Sequence, residues 1–287
     1  MDAQGGAPAG FRRGSLPLDD GHISYLLRGG TGVFTREIEQ ALRDGQIDVA
    51  VHSLKDLPTR LAGDLALAAV LERGDPRDAL VAPPGARLAS LPPRARLGTS
   101  SPRRRAQVLA CRPDVVALDI RGNVPTRIEK LDRGDYDALL LAAAGLHRLG
   151  LEGRIAEYLD PDIVMPAPGQ GAIAVESRDG DARVIGITAA IDHGPTRLAT
   201  MAERACLAQL EGGCQVPVGV LGSWRGHRLS LSATVTSLDG GVVIREHVGA
   251  DVRSTDEAVR AGEHLAARLV RQGAAALLAA IRCAAHP

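Results

Sequence analysis

Apolar positions along the chain switch repeatedly between two spacings. Over residues 34–42 the apolar side chains Phe34, Ile38, Ala41 and Leu42 recur at helical spacing, with Thr35 as a candidate cap and Gly45 just beyond, so a helix is predicted there. Residues 47–51 form a short, almost continuous apolar run, the pattern of a strand buried on both faces of a parallel sheet, and it ends in His52-Ser53-Leu54-Lys55-Asp56. The same grammar of strand, polar tip and helix returns. Residues 96–98 lead into Thr99-Ser100-Ser101-Pro102 and a helical stretch over 103–110, with Ser101 as N-cap and Pro102 as first helical residue. Residues 115–120 are followed by Arg121-Gly122-Asn123 and a helix-like segment over 125–133 that Gly134 stops. Residues 138–142 run into Ala144-Gly145-Leu146-His147-Arg148. Strands alternating with helices predict an α/β architecture with mainly parallel sheets.

Pro166-Ala167-Pro168-Gly169-Gln170-Gly171 interrupts this rhythm before a further strand over 172–176, which marks a hinge or domain crossing. A helix is predicted over 195–210, ending at Glu211-Gly212-Gly213-Cys214. Beyond it the character changes: period-two alternation over 229–235, an Asp239-Gly240 hairpin signal, a strand over 242–246 and one long helical pattern over 255–281 predict a small separate domain. Residues 1–28 read as irregular, and no internal repeat of fixed short period is present.

Composition narrows the function classes. The 287 residues include 34 Lys+Arg and 34 Asp+Glu, so there is no excess positive charge to neutralise a phosphate backbone, and no nucleic-acid partner is expected. Nearly all the positive charge is Arg, since Lys55 and Lys130 are the lysines, and Arg suits bidentate recognition of carboxylates. Four scattered cysteines, Cys111, Cys206, Cys214 and Cys283, make neither a disulfide framework nor a C-x-x-C metal site, so a reduced, cytoplasmic protein without a bound metal is expected. No stretch approaches the ~20 apolar residues that span a bilayer, so no membrane association is expected.

In open α/β sheets ligands bind at the carboxyl ends of strands, and four polar clusters lie at such ends, which predicts that they converge on one cleft. No G-x-G-x-x-G or Walker sequence is present, whereas Arg103, Arg104, Arg121, Arg127 and Arg148 recur in or beside the clusters. The ligand so implied is a small polyanion, more a polycarboxylate than a nucleotide. Asp56 is an acid among these cations, suited to an N–H-bearing or cationic part of a substrate; the alternative is that it caps the next turn or pairs with Lys55 or an arginine. Thr99, Ser100 and Ser101 suit either capping or anion binding at a helix start. His52 reads as a core histidine. Cys214, in a Gly-Gly-Cys loop, is open to attachment or nucleophilic chemistry, whereas Cys206 falls within a helical pattern and is expected to be packed.

Five ordered motifs carry a resemblance. They are residues 52–59 (His52-Ser53-Leu54-Lys55-Asp56-Leu57-Pro58-Thr59), Gly74-Asp75-Pro76-Arg77-Asp78-Ala79, Gly98-Thr99-Ser100-Ser101-Pro102-Arg103-Arg104, Arg121-Gly122-Asn123 with Thr126-Arg127, and Glu211-Gly212-Gly213-Cys214-Gln215-Val216-Pro217. Together they resemble the hydroxymethylbilane synthase, or porphobilinogen deaminase, family, from Gly29 to the C-terminus. The resemblance implies two periplasmic-binding-protein-like domains around a cleft, formed by residues 1–72 with 172–190 and by 76–166, plus a small C-terminal α/β domain over 194–287 carrying the cysteine loop. It implies an enzyme, a monomer, that deaminates and condenses four porphobilinogen molecules into hydroxymethylbilane in tetrapyrrole and haem biosynthesis. It also implies a dipyrromethane cofactor joined to Cys214 by a thioether bond. Asp56, with Lys55 beside it, matches the catalytic position, where the carboxylate binds pyrrole N–H groups and stabilises the positive charge that develops as ammonia leaves. Ser53, Lys55, Asp56, Thr99, Ser101, Arg103, Arg104, Arg121 and Gly122 match cofactor contacts, and Arg127, Arg148 and Gln170 match substrate contacts.

The N-terminal region departs from the family pattern. Members begin with a strand ending in an R-x-S-x-L-A type motif, then a helix and a second strand, and about forty residues of that kind are missing or replaced before Gly29. Arg13-Gly14-Ser15-Leu16 is similar to R-x-S but stands too near Gly29 to leave room for that helix and strand. Loss of a central first strand predicts an unpaired sheet edge and keeps a second reading open: a catalytically impaired relative or shortened form acting at most as a pyrrole- or polycarboxylate-binding protein.

Overall fold

Local signals set most of the element ends, and long-range pairing sets the rest. The computed structural model describes residues 11–18, 21–28, 35–210 and 216–285. In chain order the elements are β1 (Phe11–Leu18), β2 (Gly21–Arg28), α1 (Thr35–Arg43), β3 (Val49–Ser53), β4 (Leu65–Val70), β5 (Asp78–Val81), β6 (Arg96–Gly98), α2 (Pro102–Cys111), β7 (Val116–Leu118), α3 (Val124–Asp132), β8 (Ala138–Ala142) and α4 (Ala143–Arg148). They continue with β9 (Ile155–Tyr158), β10 (Ile173–Arg178), α5 (Ala182–Thr188), α6 (Gly194–Gln209), β11 (Val218–Arg225), β12 (Arg228–Thr236), β13 (Val243–Asp251), α7 (Thr255–Arg271) and α8 (Ala274–Ala285). The chain divides into two compact units, Met1–Glu72 with Ala172–Arg197, and Arg73–Gly171 with Leu198–Pro287. Among the described residues no helix is long and apolar enough to cross a membrane.

The first unit holds a five-stranded sheet in the order β1-β2-β3-β10-β4. Helix α1 ends as its sequence predicts: Gly45 at φ +67 lets its own N–H reach the Leu42 carbonyl and that of Gln46 reach Ala41, a Schellman closure. Thr35 is the first helical residue rather than the cap. Two further expectations are corrected here. The stretch read as irregular contains the antiparallel hairpin β1–β2, and β2 pairs in parallel with β3. Strand β3 therefore lies between β2 and β10, and the unpaired edge expected beside it is covered. Gly14 and Pro17 hide β1 from pattern reading, but β1 is the outer strand, where a residue lacking an N–H is tolerated.

The second unit holds another five-stranded sheet, β7-β6-β8-β5-β9, and a three-stranded antiparallel sheet, β11-β12-β13. Both five-stranded sheets are mixed rather than mainly parallel, because β10 runs antiparallel to β3 and β4, and β5 to β8 and β9. An apolar run reports burial on two faces and carries no direction, so these reversals leave no sequence trace. In β8, Leu140 packs with Leu80, Leu97 and Val108 on one face while Leu139 and Leu141 pack with Ile120, Ile128 and Leu146 on the other, which is why the strand is apolar throughout. The period-two stretch in β12 turns Leu229, Leu231, Ala233 and Val235 onto α6 and α7. At the crossing of those helices Gly262 is required, since a Cβ there would lie 2.0 Å from the Ala202 carbonyl oxygen. The long helix predicted over 255–281 is two helices, broken at Gly273, whose φ is +100.

A buried carboxylate organises the ligand edge of the second unit. Asp78, the first residue of β5, is fully buried and accepts hydrogen bonds from Arg103 Nη1 at 2.7 Å, from Arg104 Nε at 2.9 Å and Nη2 at 2.7 Å, and from Gln170 Nε2 at 2.9 Å. The same arginines reach backbone: Arg103 donates to the Met165 carbonyl and Arg104 to that of Leu140. Burial opposes ionisation of Asp78, but the charges and hydrogen bonds of Arg103 and Arg104 outweigh it and hold the carboxyl well below the usual carboxylate range. A second acid, Glu203 of α6, ties neighbouring segments together. Its oxygens accept from Arg73 Nη1 and Nη2 at 2.5 and 3.1 Å and from the backbone N–H groups of Gly169 at 2.6 Å and Gly222 at 2.7 Å.

Asp78→Asn strands two buried guanidinium groups without their counter-charge and is expected to cost about 3–5 kcal/mol in urea unfolding of the full chain. A loss below ~1 kcal/mol would remove Asp78 from this organising role. Because its folded-state value is depressed, the stabilisation is complete above the unfolded carboxyl value of about 3.9 and is lost as pH falls below it, so wild type and variant should converge in acid.

Candidate functional site

In the first unit the chain leaves β3 through a 3-10 turn over Leu54–Asp56. Two leucines pin this turn: Leu54 and Leu57 are buried, the Leu54 N–H reaches the Ala172 carbonyl at 3.0 Å, and the Leu57 N–H reaches Leu54 at 3.2 Å. Between those anchors Lys55 is half-buried and Asp56 faces solvent. Asp56 makes no hydrogen bond or ion pair among the described residues, so neither capping nor pairing accounts for it. Ser53 closes the strand, half-buried. His52 is a core residue as expected, and its partner is the buried Glu176 of β10, with Nε2 and Oε2 3.0 Å apart.

In the second unit three parallel strands present their carboxyl ends along one edge. At the end of β6, Thr99 is buried and its Oγ1 accepts from the Ser101 N–H at 3.3 Å, while Ser101 Oγ accepts from the Arg104 N–H and caps α2. At the end of β7 the chain turns through Arg121 and Gly122, whose φ of +117 is a conformation natural to glycine, and Asn123 caps α3. Ser100 stitches the two loops, donating to the Ile120 carbonyl at 2.7 Å and accepting the Ile120 N–H at 2.9 Å. Arg121 is exposed. From α3, Arg127 donates Nε to the Gly122 carbonyl at 2.8 Å, and from α4, after β8, Arg148 donates Nη2 to the Gly171 carbonyl at 2.8 Å.

The five expected arginines therefore divide by counter-charge. Arg103 and Arg104 are buried and spent on Asp78, a structural commitment the sequence did not reveal, and this differs from a direct hold on ligand carboxylates. Gln170 is also fully buried, with Nε2 bound to the Pro76 carbonyl and Asp78, so it belongs to the same network. Arg127 is half-buried and Arg148 is exposed, and neither has a carboxylate partner among the described residues. Burial pulls both guanidinium groups down from their ordinary value, and repulsion from Arg104 adds to the effect at Arg127. A cation that is desolvated and unneutralised is stabilised by an arriving anion, and a carboxylate matches the open side of each fork.

Cys214 and its loop lie outside the described residues. Cys206 is packed as predicted, and burial, with a smaller contribution from Glu203, pushes its thiol up to about 12, which leaves it inert. Sequence reasoning missed Asp78 and Glu203; the available signal at Asp78 was an acid opening a strand otherwise made of Ala79, Leu80 and Val81.

Residues 20–186 match the model of the porphobilinogen deaminase, dipyromethane cofactor binding domain, and residues 197–271 that of the porphobilinogen deaminase, C-terminal domain. A porphobilinogen deaminase of Roseiflexus sp. (strain RS-1) is 51% identical over 251 residues, covering 88% of this chain and 82% of that protein. One of Xanthomonas euvesicatoria pv. vesicatoria (strain 85-10) is 49% identical over 268 residues, covering 93% and 86%. Among solved structures, a double mutant of the Bordetella pertussis BvgS VFT2 domain aligns with 53% of this chain and 64% of its own at 18% identity and a TM-score of 0.35. With two family models spanning most of its length and relatives near half identity over almost all of it, the chain belongs to the porphobilinogen deaminase family.

Proposed function

We propose that this protein acts as a hydroxymethylbilane synthase, deaminating porphobilinogen and joining four such units head to tail, with Asp56 as its catalytic acid group. The observation that carries the reading is the state of Asp56: an exposed carboxylate, without a partner among the described residues, on a turn held by two buried leucines. A protein that merely bound polycarboxylates would gain nothing from an unneutralised acid. Catalysis that expels ammonia from a pyrrole needs one, because positive charge develops on the ring and its N–H must be held.

The group that a dipyrromethane-binding domain implies carries acetate and propionate side chains, and the donor set here suits it. Arg127 and Arg148 are cations short of an anion, Arg121 is open to solvent, and the hydroxyl groups of Ser53 and Ser101 stand at strand ends. When bound, the dipyrromethane supplies the primer on which the product grows, and Cys214 is the residue that would carry it covalently. Arg121, Arg127 and Arg148 would hold carboxylates. Lys55 adds positive charge beside Asp56. Arg103 and Arg104 contribute through the field around Asp78 and by fixing the start of α2, with Thr99 and Gly122 shaping the loops.

Three outcomes are expected. Asp56→Asn should lower kcat by about 100-fold or more, with stability within ~0.5 kcal/mol of wild type; an unchanged rate would take Asp56 out of the chemistry. Arg127→Leu and Arg148→Leu should each raise KM for porphobilinogen about 10- to 100-fold without loss of thermal stability, because each removes a desolvated cation along with its charge-assisted bonds. Intact-mass analysis of the purified chain should find two linked pyrroles that map to Cys214 and are absent from Cys214→Ser; a persistent adduct in that variant would overturn the attachment.

A further inference from the structure

Among the described residues, the first unit contains one fully buried pair of ionisable side chains that the proposed chemistry does not use. His52 and Glu176 are both fully buried, joined by one hydrogen bond, and the other polar atom of each, Nδ1 and Oε1, has no partner. As a stabilising device this is poor, since buried polar pairs are commonly matched or exceeded by apolar residues of similar volume, and each orphaned atom adds to the deficit. What a directional bond supplies and an apolar contact does not is register.

Apolar patterning alone leaves the register of β3 on β10 open to a two-residue slip. Strand β10 opposes β3 with Ala174 facing His52 and Glu176 facing Ala50, so the hydrogen bond runs diagonally across the pair. A slip of two residues would return every side chain to its own face and keep the small residues Ala50 and Ala174 opposite acceptable neighbours, so apolar patterning does not forbid it. A slip that sets Glu176 opposite Asp48 would separate the His52 and Glu176 tips by about 6.7 Å more and break the bond, and the reverse slip would set Glu176 directly opposite His52 and so abolish the diagonal approach. On the other side of β10 the pairing with β4 is irregular: Val175 faces Ala69, the next residue Glu176 faces Leu67, and the shift falls at Glu176 itself. A bulge re-aims a side chain and interrupts the ladder on its own side, so the regular pairing at Glu176 is the one with β3, where the bond to His52 lies.

The consequence reaches Asp56. His52 is followed at once by Ser53 and the turn that carries Lys55 and Asp56, and the turn is hung from β10 by the Leu54 N–H bond to Ala172. We propose that the buried His52–Glu176 hydrogen bond is a positioning device that locks β3 against β10 and so fixes where the Leu54–Asp56 turn leaves the sheet. The rate consequence rests on the reading of Asp56 above; the structural one does not.

The test compares full-length wild type, the double variant His52→Leu/Glu176→Leu and the conservative variant Glu176→Gln, which keeps an acceptor for His52. In the double variant the melting temperature is expected to equal or exceed that of wild type, while amide exchange at Leu54 and Leu57 rises at least about tenfold relative to the centre of β10. Turnover of porphobilinogen is expected to fall about tenfold or more in kcat with KM nearly unchanged, and Glu176→Gln to restore both readouts to within about threefold. Wild-type exchange at Leu54 and Leu57 in the double variant overturns the proposal, as does acceleration spread evenly over the whole sheet or a failure of Glu176→Gln to rescue. If wild type itself shows no turnover, the functional reading fails while the exchange data still decide the positioning role.

Discussion

The ligand edge of the second unit depends on one buried negative charge. Asp78 gathers two guanidinium groups and a side-chain amide at the head of β5, and through them it fixes α2, the Leu140 carbonyl of β8 and the Met165 segment in one place. Two adjacent arginines at a helix start could not otherwise be buried, because a desolvated cation needs both a counter-charge and partners for its remaining N–H groups. Once Asp78 supplies the charge, Thr99 and Ser101 have a fixed helix start to sit on, and Ser100 carries that order across to the loop before α3.

The same commitment produces the functional asymmetry among the arginines. Two positive charges meet one negative charge at Asp78, so the cluster keeps a net positive character, and Arg104 pushes on Arg127. Arg127 and Arg148 each spend one donor on a backbone carbonyl and find no acid among the described residues, which leaves them as the forks open to carboxylates. Structural and functional arginines are thus the same residue type in the same neighbourhood, separated by whether the protein has already neutralised them.

Much of this was legible in the sequence where the determinant is local. Ser101-Pro102 marked the start of α2, Gly45 the end of α1, and the apolar run over 47–51 a strand covered on both faces. The polar tips of β3, β6 and β7 were visible as candidate site residues for the same reason: each follows its strand directly. What escaped is set by partners far away in the chain. Asp78 meets arginines 25 and 26 positions on, the antiparallel sense of β10 is decided by its return between β3 and β4, and the β1–β2 hairpin is stabilised by pairing that outweighs the poor strand propensity of Gly14 and Pro17. Gly273 was readable as a helix breaker, but the apolar periodicity on either side masked it.

Asp56 and Asp78 show how one side-chain type serves opposite ends through surroundings alone. At Asp78 the protein saturates the carboxylate with donors, so its charge is stable, directional and unavailable to anything else. At Asp56 it withholds them: the anchoring falls to Leu54 and Leu57, which fix the backbone without touching the carboxylate. A group meant to stabilise charge that appears only during a reaction must be rigid in position and yet unspent in the ground state, since any bond it makes beforehand must be broken before it can act. Burying apolar neighbours on both sides of an exposed acid meets both conditions, whereas holding it through a salt bridge would meet only the first.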